Sequence, residues 1–494
     1  MKYFFIILLG WGTFICTSCN RELLDPKPQT VIYDTIAAFD KPYRITNQVT
    51  ALYSSLKVGS FYGGRYVVYG DIRGEDFINL TSNLITNADV WGLYPSSTAT
   101  AIIGLWSQAY IVINSCNLFI EGMDARGSAV VGTPLSNNYL AEARLIRALS
   151  YYSLLQYYAR PYADGNGSKL GLPLRLKGIT TLGSSDVARS TVAEVYTQIL
   201  SDLDFAETNL PLNYGTGTTA AFNNTTRAHR NTAIALKTRV YLSMQKYSNV
   251  ITEASKIVTA AAPFTATTGV AHALQADITN VFKTPYTTTE SILSMPFTTS
   301  TNPSDVPGTQ NGLQSYYLNS TTSFSSEFSL NDSGIIANTG WKQTDRRRTY
   351  ILPIAVSGVT KRFLNKYPTA SPADYTPVIR YAEVLLNLAE ARVRTTNTVD
   401  PQAVALLNAV RTRSDATTTF TAAGFATPND LVNAILLERR IEFLGEGLRN
   451  NDLMRLLQTI PAKGSAPAKG PNDDGYIWPA PSTEKSLNKL WKDN

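Results

Sequence analysis

His229 and His272 are the only imidazoles in a chain of 494 residues. A site with two or three histidine ligands is therefore nearly excluded. A serine–histidine pair has just these two candidate bases, and each reads more simply as a surface or capping residue. Cysteine is as spare: Cys16 and Cys19 sit near the N-terminus, and Cys116 stands alone beyond them. One isolated thiol forms no internal disulfide and reads as a small buried hydrophobe. Carboxylates are the one catalytic class the composition leaves open. Asp71, Glu75 and Asp76 cluster, and a glycosidase needs only two acids at a suitable separation. With 38 acids in the chain, however, such a cluster arises easily by chance. No G-x-S-x-G elbow, H-E-x-x-H helix or G-x-x-x-x-G-K-[ST] loop occurs. Gly165 to Gly171 is glycine-rich at the wrong spacing for a dinucleotide site. Asn472-Asp473-Asp474-Gly475 could offer oxygens to calcium, yet an ordinary polar turn is the simpler reading. The residues thus point to no catalytic group, no metal and no cofactor.

Aromatic side chains carry the positive signal, with 6 Trp, 27 Tyr and 18 Phe. Many must be core, as Tyr152 and Tyr196 are expected to be. Those in polar, loop-like stretches are harder to bury: Tyr62, Tyr66, Tyr69, Trp91 and Tyr94, then Tyr286, Tyr316, Tyr317, Phe324 and Trp341. A sugar ring has an apolar C–H face and a rim of hydroxyls, so it stacks on an aromatic plane beside Asn, Asp or Arg. Covering roughly 50–100 Å² at about 25 cal/mol/Å² yields on the order of 1–2.5 kcal/mol per ring. Three rings, less the cost of ordering, give micromolar to millimolar binding. Tyr69, Asp71, Trp91, Tyr94, Tyr286, Tyr316, Tyr317 and Trp341 are accordingly the candidate ligand-binding residues, although for each ring taken singly the core is the commoner home.

Loops that present such rings need a rigid mount. Hydrophobic residues make up 44% of the chain, ample for a core, while charged residues are only 17%. Such a neutral polar surface suits work outside the cytoplasm. Net charge is +6 and the basic residues are scattered, so no nucleic-acid stripe is indicated. Apolar residues from Ala141 to Ala159 step by three and four, which predicts a helix covered on more than one side. Thr191 with Glu194 forms a capping box that opens another. Residues 231–258 and 379–413 read as two helix–turn–helix units of weak tetratricopeptide character. Asp400-Pro401 and Thr427-Pro428 mark further helix starts. Residues 60–97 and 263–375, rich in Thr, Ser, Asn, Gly and Pro, predict loops, short strands and a few helical turns.

At the N-terminus, Lys2 precedes a 14-residue, almost wholly apolar stretch from Tyr3 to Cys16. This is too short to span a bilayer as a helix and fits the h-region of a secretory signal. Thr17 and Ser18 before Cys19 resemble a bacterial lipobox, with Cys16 where leucine is usual. Cys19 is the expected site of lipidation, where each buried methylene contributes about 0.8 kcal/mol to anchoring.

Several segments together resemble the SusD/RagB family. They include Cys19 with Glu22 and Asp25, the run Ala141-Glu142-Ala143-Arg144-Leu145-Ile146-Arg147-Ala148 into Tyr151-Tyr152, and Arg189-Ser190-Thr191-Val192 through Leu210-Pro211. The most specific are Arg380-Tyr381-Ala382-Glu383, Leu407-Asn408-Ala409-Val410-Arg411, Glu438-Arg439-Arg440-Ile441-Glu442 with Glu446 and Arg449, and Trp478-Pro479-Ala480-Pro481. The resemblance implies a mainly α fold, a tetratricopeptide-type helical scaffold with a loop-rich insertion carrying short strands. It implies a signal peptide over 1–18, a lipidated tether over 19–36 and one unit over 37–494. That unit divides into a helical scaffold (37–262, with a loop patch at 60–97), the insertion (263–375) and a C-terminal helical region (376–494). It further implies a cell-surface lipoprotein of the outer membrane that binds oligosaccharides and delivers them to a SusC-like TonB-dependent transporter, without enzymatic activity. Peptide binding, as in the RagB branch, is the alternative, and a surface glycoside hydrolase using an Asp/Glu pair is the second. A lid with no ligand affinity of its own is the third. Glu438, Arg439, Glu442, Glu446 and Arg449 are expected in a buried salt-bridge network.

Overall fold

The computed structural model describes residues 37–181, 186–299, 305–308, 310–318, 326–368 and 373–493. The expected signal sequence, Cys19, the expected tether and Phe324 lie outside these. The described chain is mainly helical. Helices α1 (Pro42–Leu56), α2 (Arg65–Ile72), α3 (Thr100–Gly122), α4 (Thr133–Tyr158), α5 (Val192–Asn209), α6 (Arg230–Ser243) and α7 (Tyr247–Ala254) come first. After the insertion follow α8 (Tyr381–Thr396), α9 (Pro401–Ser414), α10 (Pro428–Glu442) and α11 (Arg449–Arg455). Consecutive helices pack on one another: α3 and α5 flank α4, α6 joins α5 to α7, and α8 lies between α7, α9 and α10. Among the described residues the strands make four two-stranded antiparallel ribbons. β1 (Phe77–Asn79) pairs β5 (Phe328–Leu330), and β2 (Leu170–Pro173) pairs β3 (Arg189–Thr191). β4 (Ser291–Met295) pairs β8 (Thr376–Arg380), and β6 (Ile351–Val356) pairs β7 (Val359–Leu364) in register from Ile351–Leu364 to Val356–Val359.

Local chemistry sets the helix ends. Thr191 accepts from Glu194 N–H while Glu194 reaches back, and Thr427 does the same with Asp430 ahead of Pro428. Asp400 Oδ1 accepts from Ala403 N–H at 2.8 Å, and Pro401 follows it. α4 is buried on almost every side, as its wide apolar surface requires. Its polar residues are paired across helices. Arg147 grips Asp202 of α5 at 2.7 and 2.8 Å. Glu142 binds Arg227 at 2.6 and 3.1 Å and accepts from the Tyr53 hydroxyl at 2.7 Å.

Of the five residues expected in a buried network, Glu438, Glu442 and Glu446 share one, whereas Arg439 pairs with Asp452 and the partly buried Arg449 with Glu75. Glu442, fully buried, meets Arg347 at 2.8 Å, Arg380 at 3.0 Å and Arg413. Glu438 binds Arg347 and Arg411, and Glu446 binds Arg380 and Lys366. Burial by itself would raise the Glu442 pKa. The surrounding Arg413, Arg380 and Arg347 overcome that and hold it well below the usual carboxylate range.

Both histidines are buried, His229 at the residue that opens α6 and His272 stacked on it with ring centres 5.2 Å apart. His272 also stacks on Tyr381, and its Nδ1 lies 3.0 Å from the Thr289 carbonyl. Burial pushes the His272 pKa down to about 4; burial and then His272 push His229 well below the ordinary value. A histidine whose folded pKa is depressed contributes stability that is present above the unfolded pKa near 6.5 and lost as pH falls toward the folded value. Asp71 runs the opposite way, because burial raises its pKa to about 8. The readout is therefore a difference. Between pH 7 and pH 5, urea denaturation of His272→Gln gains about 2 kcal/mol relative to the parent chain. Parallel pH curves for the two chains would contradict the assignment.

Candidate functional site

The acid cluster is structural. Asp71 is buried and accepts from the Tyr317 hydroxyl at 2.5 Å. Glu75 binds Arg449 at 2.6 and 3.0 Å, and Asp76 binds Arg440 at 2.5 and 2.8 Å while accepting from Ile335 N–H. The space beside Asp71 and Asp76 is about 10 Å³, room for a water but not for a sugar.

Most of the candidate rings are also interior. Tyr69, Tyr316 and Tyr317 are fully enclosed, Trp341 is 2% exposed and Trp91 is 8% exposed. Tyr69 packs against Tyr157 and Trp478, and Trp341 lies under Arg348, while the other three place their polar atoms on partners inside. Trp91 Nε1 donates to the Phe77 carbonyl at 2.7 Å, Tyr316 donates to Gln310 O at 2.7 Å, and Tyr317 donates to Asp71. Residues 60–97, expected as a loop patch, do carry turns and short elements (α2, β1 and a short helix, Ala88–Trp91), but most of the segment is packed into the core. Replacing Trp341 by alanine is therefore expected to cost about 3–5 kcal/mol of stability, read by denaturant titration. A variant as stable as the parent would return Trp341 to the surface. Tyr286 is half-buried, stacked on Tyr375 at 4.6 Å and donating to Asp374 at 2.9 Å, and it does not line the groove described next.

Tyr94 differs from all of these: its side chain is 64% exposed. Its neighbour Leu93 is fully buried with Leu453, Met454, Ile460 and Tyr476, in the left-handed region at φ +62°. That geometry sends Leu93 inward and Tyr94 outward. The Tyr94 ring lies directly over Gly92, where a β-carbon would come within 2.2 Å of Cε1. On the other side Gly475, at φ +88°, closes the turn of Asn472 to Gly475 against the chain, with the site of its absent β-carbon 2.2 Å from the Leu93 carbonyl. Asp473 Oδ2 accepts from Gly470 N–H at 2.7 Å, so the polar-turn reading of this segment holds.

Between these segments runs an open groove of about 610 Å³, within the size range of small-ligand sites. Tyr94 and Pro95 form one edge, Lys469 and Asn472 to Gly475 another, and the C-terminal tail with Lys485, Trp491 and Asp493 a third. Tyr158 and Trp478 stand beneath. Trp478 N–H donates to the Tyr157 carbonyl at 2.7 Å, and its ring packs on Tyr157 (4.5 Å), Tyr69 (5.1 Å) and Tyr158 (5.5 Å). Tyr69 thus supports the floor from behind. Arg189 lies under Trp491 at 4.7 Å, and burial lowers its pKa to about 10. An exposed ring, a rim of Asn, Asp and Lys side chains and an aromatic floor can hold a ligand with apolar faces and many hydroxyls. Among the described residues, no three His, Cys, Asp or Glu side chains gather as a metal site would require.

Of the sequence-derived candidates, only Tyr94 lines this groove. Lys469, Asn472, Asp474 and Trp491 were not among them. Asn472 and Asp474 had a signal in the polar turn, whereas Lys469 and Trp491 carried none, because only folding brings the C-terminal tail beside residues 93–95.

Residues 293–491 match the pattern described as the SusD family, and residues 24–242 match one described as starch-binding associating with outer membrane. Two relatives come from Formosa agariphila. SusD-like protein P38 is 24% identical over 96% of this chain and 94% of its own length. SusD-like protein P25 is 27% identical over 42% of this chain, a match that spans 38% of that protein's length. A crystal structure of a SusD superfamily protein from Bacteroides fragilis is 30% identical, covers 92% of this chain and 100% of its own, and superposes with a TM-score of 0.79. With the paired-helix scaffold, the short ribbons and this identity along the whole of a solved SusD structure, the chain belongs to the SusD/RagB family.

Proposed function

We propose that this chain is a cell-surface nutrient-binding protein of the outer membrane, which captures an oligosaccharide in the groove beside Tyr94 and delivers it to a SusC-like TonB-dependent transporter. The observation that carries the reading is the Tyr94 ring. It is held outward over Gly92 at the mouth of an open groove, while most of the other candidate rings are shut in the core. Family membership and the starch-binding description of the N-terminal match support the ligand class. In this reading the groove captures without cutting: the Asp71, Glu75 and Asp76 cluster is engaged away from it, and Asp493 in its wall is paired with Lys485.

Native electrophoresis through gels containing polysaccharides, with casein digests as competitors, tests this. Retardation by a glycan with no released product is the expected result. Shortened glycan would mean a hydrolase, displacement by peptides would mean a peptide carrier, and no shift with any ligand would mean a lid. Anchoring at Cys19 completes the proposal: Cys19→Ser is expected to abolish palmitate incorporation and release the chain from outer-membrane vesicles, and a variant still labelled would count against it. A TonB-dependent transporter should co-purify with the chain from detergent-solubilised outer membranes.

A further inference from the structure

We infer that the groove beside Tyr94 takes an uncharged oligosaccharide and turns away uronate and sulfated chains, an inference that rests on the glycan-binding reading above. The argument is a census of charge at the groove. Among the described residues four cations stand on or under its walls, Arg160, Arg189, Lys469 and Lys485. Four carboxylates answer them: Asp473, Asp474 and Asp493 in the wall, and Asp164 just behind it.

Recognition of a carboxylate or sulfate relies on a free arginine fork or an unanswered ammonium. Among the described residues the groove offers neither arginine as a free fork, and a single ammonium without a carboxylate partner. Arg189 donates through Nε to the Gly171 carbonyl at 2.7 Å, and through its two Nη atoms to Lys492 and Leu170 carbonyls at 3.0 Å, while Trp491 covers its face. Each nitrogen of that guanidinium donates to backbone. Arg160 is paired with Asp164 at 2.6 Å and gives another N–H to the Pro471 carbonyl. Lys485 is paired with Asp493 at 2.6 Å, and Asp493 also accepts from the Trp491 indole at 3.0 Å. Among the described residues Lys469 is the one groove cation left, and it shares its wall with Asp473 and Asp474, both exposed. An anionic chain entering past Tyr94 meets two carboxylates for each free ammonium. A neutral chain meets the apolar Tyr94 face with Asn472, Asp473, Asp474 and Lys469 as partners for its hydroxyls.

The test is affinity electrophoresis of the full chain and of Tyr94→Ala in matched gels. Neutral gels contain laminarin, amylopectin, galactomannan or arabinoxylan; anionic gels contain alginate, polygalacturonate or carrageenan. The expected result is retention by at least one neutral glycan that changes by less than about twofold between low salt and roughly 0.5 M NaCl, is lost in Tyr94→Ala, and has no anionic counterpart. Replacing both acids, Asp473→Lys with Asp474→Lys, is expected to create salt-sensitive retention in alginate. Retention of the parent by an anionic gel, dissolving as salt rises, would overturn the inference while leaving glycan binding intact. Neutral retention that survives Tyr94→Ala unchanged would place the ligand elsewhere and overturn it too. Retention by neither set would overturn the glycan reading itself, and this inference with it.

Discussion

Replacing Tyr94 by alanine is expected to weaken glycan binding by roughly 5- to 70-fold, while the melting temperature moves by no more than about 3 °C. The magnitude follows from the area a sugar ring covers on an aromatic face, about 1–2.5 kcal/mol. The asymmetry between binding and stability follows from exposure. A ring that is 64% open leaves no packed cavity when it is cut back to a methyl group. Tyr94→Phe keeps the stacking face and should stay within about threefold of the parent. Gly92→Ala places a methyl group where the ring now lies, so the ring must move, and binding should fall with the tyrosine still present. Isothermal titration with the glycan that retards the parent measures all three. An unchanged affinity in Tyr94→Ala, or a collapse of its melting temperature, would remove this ring from the ligand's path.

Glu442→Gln is expected to cost about 3–5 kcal/mol of stability, seen as a lower guanidinium midpoint. Glu442 is fully buried and faces Arg347, Arg380 and Arg413 at once, and its backbone carbonyl accepts from Lys366. Removing one negative charge leaves those guanidinium groups in low dielectric with too few partners, and glutamine can donate where only acceptors are wanted. The same logic gives the pH dependence. The folded pKa of Glu442 is depressed, so its contribution is present above the unfolded carboxylate range and is lost as pH falls through that range toward the folded value. Glycan binding at pH 7 should persist in the fraction of Glu442→Gln that remains folded, because no residue of this network lines the groove. Loss of binding from a fully folded variant would join the network to the site.

The two predictions fall on opposite sides of what could be read before folding. Glu438, Glu442 and Glu446 follow one another every four residues beside Arg439 and Arg449, a pattern that demands buried pairing on one helix face and its exit. The helix starts at Thr191, Asp400 and Thr427 were equally legible, since a cap is a bargain struck between residues three apart in sequence. The aromatic residues were not. Tyr69, Trp91, Tyr316, Tyr317 and Trp341 stand among the same polar neighbours as Tyr94, and nothing local distinguishes a ring with packing or hydrogen-bond partners inside the fold from one without. The difference lies with remote atoms: Asp71 beneath Tyr317, Phe77 O beneath Trp91, Gln310 O beneath Tyr316.

The chain by itself determined the helical class, the positions of its caps, the charge network and the poverty of catalytic side chains, because each of these depends on composition or on neighbours within a turn or two. Tertiary structure alone decided which ring is offered to a ligand. Leu93 turns inward among residues contributed from beyond position 450, Gly475 admits the distant turn against the Leu93 carbonyl, and the C-terminal tail closes the third wall. A groove made of segments nearly 400 residues apart exists only once packing has paid the entropy of bringing them together.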